Sequence, residues 1–262
     1  MASLLSKDHT ILERPFMEFR PFGVDERAAK IRDISGTIVR ANVECLEDCV
    51  RRASGEEATA RAVQDLCRLL NERIRDSAYH VTPKFLNNIW NSYSYEFVCY
   101  LREFCAQLSG DPRFHYNTGR NKHITAITRM LGQHLPVAVI LEKYAHYVQK
   151  YASPEVVEVS VMNATHRSIT IRLKLTEQAF RQFGPYRKRC AEMVCDSATG
   201  ALVGLPERIH GLPPATAVHR ACMVEGDDWC EWDVSWAPCE DTGFSRFIKR
   251  LFQASRGGKI NT

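Results

Sequence analysis

The run that most constrains this chain is residues 211–236, GLPPATAVHRACMVEGDDWCEWDVSW. Trp229, Glu231, Asp233 and Ser235 alternate with Cys230, Trp232, Val234 and Trp236, the period-two pattern of a half-buried antiparallel strand. Ala217, His219 and Ala221 alternate with Val218, Arg220 and Cys222 just before it, and Gly226-Asp227-Asp228 supplies a turn in which glycine tolerates positive φ. The two segments therefore read as a hairpin with Cys222, Cys230, Trp232 and Trp236 on one face. His219, three residues before Cys222, points the other way on a flat strand and comes round only with a twist or bulge.

Upstream of this hairpin the chain is largely helical. Residues 1–35 read as an extended arm packed on the domain or on a partner subunit. Apolar stripes predict helices at 37–53 (Val39, Val43, Leu46, Val50) and 56–77 (Ala60, Val63, Leu66, Leu70, Ile74), bracketed by Gly36 and Gly55. Thr82-Pro83 opens what reads as the longest helix, 83–108, with Phe85, Ile89, Trp90, Tyr93, Phe97, Tyr100, Leu101 and Phe104 on one face. Residues 112–121 read as a loop, 122–131 as a short helix and 136–151 as another helix. EVVEVSVM and SITIRLKL form a hairpin. Thr176 caps a helix that Gly184-Pro185 interrupts and that resumes until Pro206. The predicted fold class is α+β, an N-terminal helical layer followed by a small antiparallel sheet of two hairpins separated by a long helix. The predicted division is an arm at 1–35, a ligand-binding domain at 36–239, and an amphipathic helix with tail at 240–262.

Composition narrows the function. Of 262 residues, 45% are hydrophobic, and the net charge of +4 is spread along the chain, so nucleic acid is not the expected partner. No apolar run is long enough for a transmembrane helix, the start lacks a signal-peptide core, and a cytoplasmic location is expected. Ten cysteines then read mainly as buried thiols, with Cys190, Cys195, Cys222, Cys230 and Cys239 clustered enough for metal chemistry. No Gly-rich phosphate loop, Gly-x-Ser-x-Gly elbow or His-Glu-x-x-His motif marks an enzyme, so no catalytic residue is assigned.

The spacing His219-x2-Cys222-x7-Cys230 resembles the C-terminal signature of the 4-vinyl-reductase domain family, in which a carboxylate stands where His219 does. That family is similar in fold to haem nitric-oxide/oxygen-binding domains and to components of a Golgi transport particle. The resemblance implies a ligand-binding module with a structural zinc. Here His219, Cys222 and Cys230 would be ligands together with Cys190 or Cys195, a neutral imidazole being as good a zinc ligand as the carboxylate it replaces. The similarity to haem nitric-oxide/oxygen-binding domains also offers haem as an alternative, with His146 on the helix before the first hairpin as the iron ligand and Arg172 as the propionate partner, although the Tyr-x-Ser-x-Arg motif of those domains is missing.

The reading that follows is a sensory module binding a small aromatic or tetrapyrrole-type molecule against Trp90, Tyr93, Phe97 and Tyr100. An enzyme acting on such a molecule and a scaffold with a filled core are the other classes. Phe244, Phe247, Ile248, Leu251 and Phe252 share one face of a basic helix at 244–252, which predicts a contact with the parent domain, a signalling partner or a second subunit of a homodimer.

Overall fold

The computed structural model describes residues 10–17, 20–25, 27–120, 124 and 126–238. The expected helix at 244–252 and Cys239 lie outside them. Helix α1, Gly36–Arg73, is capped by Ser35 and broken at Gly55, whose φ of 83° separates the two predicted helices. Its first half buries Val39, Val43, Leu46 and Val50, and its second half Val63, Leu66 and Leu70.

The predicted helix at 83–108 is two helices. Short α2, Pro83–Leu86, ends at Asn87, and α3 spans Tyr95–Ser109. Between them the Asn88 side chain accepts from the Trp90 N–H at 3.0 Å, a local turn that competes with helix. Ser94 then caps α3 by accepting from the Phe97 N–H. The intervening β2, Ser92–Tyr93, pairs antiparallel with β1, Ile34–Ser35. Most of the stretch expected to be a loop is a helix: α4 spans Phe114–Arg120, and the Asp111 carboxylate accepts from the Arg113 N–H just before it.

After α5, Ala126–Gly132, and α6, Val137–Tyr151, strands β3, Val157–Ala164, and β4, Ser168–Leu175, form the first hairpin. Helix α7, Glu177–Phe183, leads to α8, Arg187–His210, which runs through Pro206 instead of stopping there. Strands β5, Thr216–Ala221, and β6, Cys230–Ser235, complete one antiparallel sheet in the order β3-β4-β6-β5, so β4 and β6 join the two hairpins. Ile169, Ile171 and Leu173 of β4 and Cys230, Trp232 and Val234 of β6 are buried, and the sheet packs on α6 and α8. The class is α+β, as expected. Among the described residues no helix is long and apolar enough to cross a membrane.

Two features fix how α8 lies. Gly119 of α4 and Gly200 of α8 sit where the helices cross, and a Cβ on either would lie 1.9 Å from the Ser197 carbonyl oxygen or 2.0 Å from that of Tyr116. Nearer the start of α8, Arg189 donates to both oxygens of buried Glu103 at 2.9 Å. Burial pushes the Glu103 carboxyl up, but His115 and Arg189 outweigh it and hold the carboxyl down at about 2. Burial depresses the His115 imidazole to about 4, so it is neutral at pH 7, with Nε2 3.4 Å from the Arg189 guanidinium.

The folded pKa of His115 lies below its ordinary 6.5. The unfolded chain therefore takes up that proton first, and stability falls as pH drops from about 6.5 to about 4. The Glu103 contribution is full above its ordinary value and is lost only in a lower window, toward pH 2. Urea unfolding at pH 7 and pH 4.5 checks this. His115→Gln is expected to shrink the difference between the two pH values by about 2 kcal/mol.

Candidate metal centre and internal cavity

Cys195, His219, Cys222 and Cys230 come together, with one potential ligand atom from each lying within 4.8 Å of all the others. Three elements deliver them. Cys195 is the contribution of α8; Cys190, one of the two sequence candidates, faces elsewhere. Five residues along a helix are a rotation of about 140°, and Cys190 is buried beside Cys99 and Tyr95 instead. Cys230 opens β6, and Cys222 follows β5 in a compact turn. There the Asp227 carboxylate accepts from the Cys222 N–H at 2.7 Å, and the Cys222 carbonyl accepts from the N–H groups of Glu225 and Asp227.

A bulge brings His219 and Cys222 to one face. The β5–β6 register shifts between His219 and Ala221, so His219 pairs with Trp232 and Ala221 with Glu231. His219, opposite Trp232, shares the face of Cys230, and the extra residue, Arg220, undoes the strict alternation so that Cys222 joins them. Its ring stacks on the buried Trp232 indole, centroids 4.9 Å apart and planes 10° apart. Trp232 Nε1 donates to the Thr199 hydroxyl, which donates to the Cys195 carbonyl, so the plane that orients the imidazole is tied to the helix carrying the cysteine.

The spacing suits a tetrahedral ion. Cys195 Sγ lies 3.9 Å from Cys222 Sγ and 3.7 Å from His219 Nε2. A Zn–S bond of about 2.3 Å implies tetrahedral S···S edges of about 3.8 Å. Three thiols and an imidazole are a closed Cys3His donor set with no position left for substrate, the arrangement of structural rather than catalytic zinc. Crowding already biases the thiols: hydrogen bonds from Cys195 and Cys230 lower Cys222, while those with Cys222 and Cys230 raise Cys195.

The residues expected to line a ligand pocket do not do so. Trp90 is 87% exposed on the loop before β2. Tyr93 stacks on Phe97 at 5.1 Å and donates its hydroxyl to the Phe85 carbonyl, and Tyr100 donates to the Arg14 carbonyl. Those three are filled core, tied to the N-terminal segment. The cavity is elsewhere, a half-open pocket of about 120 Å³ between α1, α3, α6, α8 and the sheet. Ile38, Val98, Tyr144, Leu173, Val194 and Ala198 are among its largely apolar walls. Nothing in the sequence distinguished these residues from ordinary core, because a void is a property of how layers fail to meet.

His146 and Arg172 do not converge as a haem site. His146 is exposed on α6, whose Tyr144, Tyr147 and Val148 face the cavity instead. Arg172 pairs with Glu231 across β4 and β6, and its guanidinium lies 4.6 Å from the Trp229 ring centroid.

No family model matches the chain, and no curated protein matches it. The 4-vinyl-reductase resemblance thus rests on the spacing of His219, Cys222 and Cys230. Among solved structures the chain is similar to an oxygen-binding H-NOX domain related to soluble guanylate cyclases, at 12% identity and a TM-score of 0.48, covering 80% of this chain and 98% of that one. It is similar to an Fe(II) unliganded H-NOX protein from K. algicida, at 10% identity and a TM-score of 0.42, covering 80% and 100%. It is also similar to an H-NOX domain from Shewanella oneidensis in the Fe(II)CO state, at 16% identity and a TM-score of 0.42, covering 78% and 99%. These figures describe a distant likeness of fold.

Proposed function

We propose that this chain is a ligand-sensing regulatory module: a small molecule enters the cavity between the helical layer and the sheet, and a structural zinc pins the β5–β6 hairpin to α8. The observation that carries this reading is the cavity. Its walls are largely apolar, so an apolar ligand seated there removes that surface from water. It does so in contact with α8 and β4, the elements that lead to the metal cluster. Zinc held by Cys195, His219, Cys222 and Cys230 would keep the hairpin and α8 moving as one body, so occupancy of the cavity is passed to the sheet edge.

Protein purified without added metal, measured by elemental analysis and absorption spectroscopy, tests this. Equimolar zinc with no visible band is expected, together with a raised melting temperature on saturation with a cavity ligand. The same spectrum decides the haem reading. A cavity of about 120 Å³ is well short of the roughly 300–1,000 Å³ of cofactor and drug-sized sites. His146 would also need α6 to turn its outer face inward. A Soret band that His146→Ala abolishes would replace the zinc-pinned sensor with a haem-based gas sensor.

A further inference from the structure

The cavity is not uniformly apolar. Arg102 of α3 is 8% exposed and forms no ion pair or hydrogen bond among the described residues, and its Nε is buried without a partner. The acids around it are engaged elsewhere or stand off. Glu103 is held by Arg189 and accepts from Thr10, and Asp196 feels the Arg102 charge without pairing to it. Two further cavity-wall atoms are orphaned: the Tyr95 hydroxyl, and the Asn42 side-chain oxygen, whose amide nitrogen is used on the Ile38 carbonyl.

Buried cations are ordinarily paired, and buried polar atoms are ordinarily hydrogen-bonded. Three exceptions in the wall of one void point to a missing group. Tyr95 and Arg102 stand seven residues apart on α3, on one helical face, and a long helical side chain leans back toward the N-terminus. Arg102 thus leans toward Tyr95, whose hydroxyl feels its charge as well as the nearer influence of the Cys99 and Cys190 thiols, and the Tyr144 hydroxyl feels Arg102 too.

Resting on the sensory reading above, we infer that the cavity ligand is a small monocarboxylate with an apolar body, its carboxylate on the Arg102 guanidinium and the Tyr95 hydroxyl. Both groups donate, as a carboxylate requires, and the planar guanidinium suits it geometrically. Asn42 Oδ1, an acceptor, takes a water or a ligand hydroxyl. The size is set by the void: one of about 120 Å³ compares with the roughly 150 Å³ apolar cavity that holds benzene. The apolar body is therefore about one ring or a short branched chain.

Calorimetric titration of the full chain with benzoate, pentanoate and the neutral isostere benzyl alcohol tests the inference. Benzoate is expected to bind at least tenfold more tightly than benzyl alcohol. Arg102→Met should abolish that preference, retain benzyl alcohol, and melt no lower than the wild type without ligand, because the substitution removes an unpaired buried charge. Tyr95→Phe, which deletes only the orphaned hydroxyl, should weaken benzoate several-fold and leave benzyl alcohol unchanged. Equal binding of benzoate and benzyl alcohol by the wild type, or undiminished benzoate binding by Arg102→Met, overturns the anion assignment while the cavity remains a ligand site. An Arg102→Met protein that melts far below the wild type overturns it too, by showing a structural role for the cation. Failure of every probe to bind overturns the sensory reading as well.

Discussion

Cys222→Ser is expected to abolish stoichiometric zinc and to lower the melting temperature by about 10 °C or more. The substitution is nearly isosteric and the position lies at the end of β5, so little of the loss comes from packing. Structural zinc contributes on the order of 10 kcal/mol in small metal-dependent folds. Here the helices have their own core, so part of the fold outlasts the metal. In a domain of this size each kcal/mol moves the midpoint by about 2–4 °C, and a loss of several kcal/mol gives the expected drop. A chelator separates metal loss from a packing defect: it should lower the wild-type midpoint to that of Cys222→Ser and leave the variant where it is. A variant that keeps equimolar zinc, or a wild type indifferent to chelation, refutes the metal centre. Cys190→Ser should keep the metal, because Cys190 lies beside Cys99 and Tyr95 and away from the cluster.

Gly200→Ala is expected to destabilise the protein by about 3 kcal/mol, against the sign of helix propensity. In an exposed helix the same change gains about 1 kcal/mol. At the α4–α8 crossing the added Cβ meets backbone, the Tyr116 carbonyl oxygen at 2.0 Å and the Arg120 nitrogen at 2.9 Å. Backbone cannot rotate aside as a side chain does, so the helices must separate and their shared contacts loosen. Gly119→Ala, whose Cβ meets the Ser197 carbonyl oxygen from the other helix, should cost a similar amount. The double variant should cost less than the sum, since one separation relieves both clashes. Urea midpoints of the three variants give the result. A neutral or stabilised Gly200→Ala would mean that the two helices do not cross this closely.

The sequence by itself determined the elements with strong local signals. Alternation in 157–164, 168–175 and 229–236 specified strands, because the period of two is set by the pleat and needs no partner to be read. The apolar stripe Val39, Val43, Leu46, Val50 and the break at Gly55 specified the kinked α1. From these the α+β class followed, and the spacing of His219, Cys222 and Cys230 marked three members of the metal cluster.

Tertiary structure decided the rest, wherever the outcome depended on what lies across a gap. The aromatic stripe of 83–108 fits a helix, yet Asn88 and Ser94 turn and cap the chain within it, and Tyr93 pairs with Ile34 far upstream. Helix α4 looked like a loop because its glycine disfavours helix locally; Gly119 is there because Ser197 passes so close. The choice of Cys195 over Cys190 depended on the rotation of α8 against the sheet, and the meeting of His219 with Cys222 on a one-residue bulge against β6. The cavity depended on every layer at once. Its polar lining of Asn42, Tyr95 and Arg102 comes from two helices whose contact no local pattern encodes, since a residue's burial is written along one segment but its lack of a partner is a property of all the segments around it.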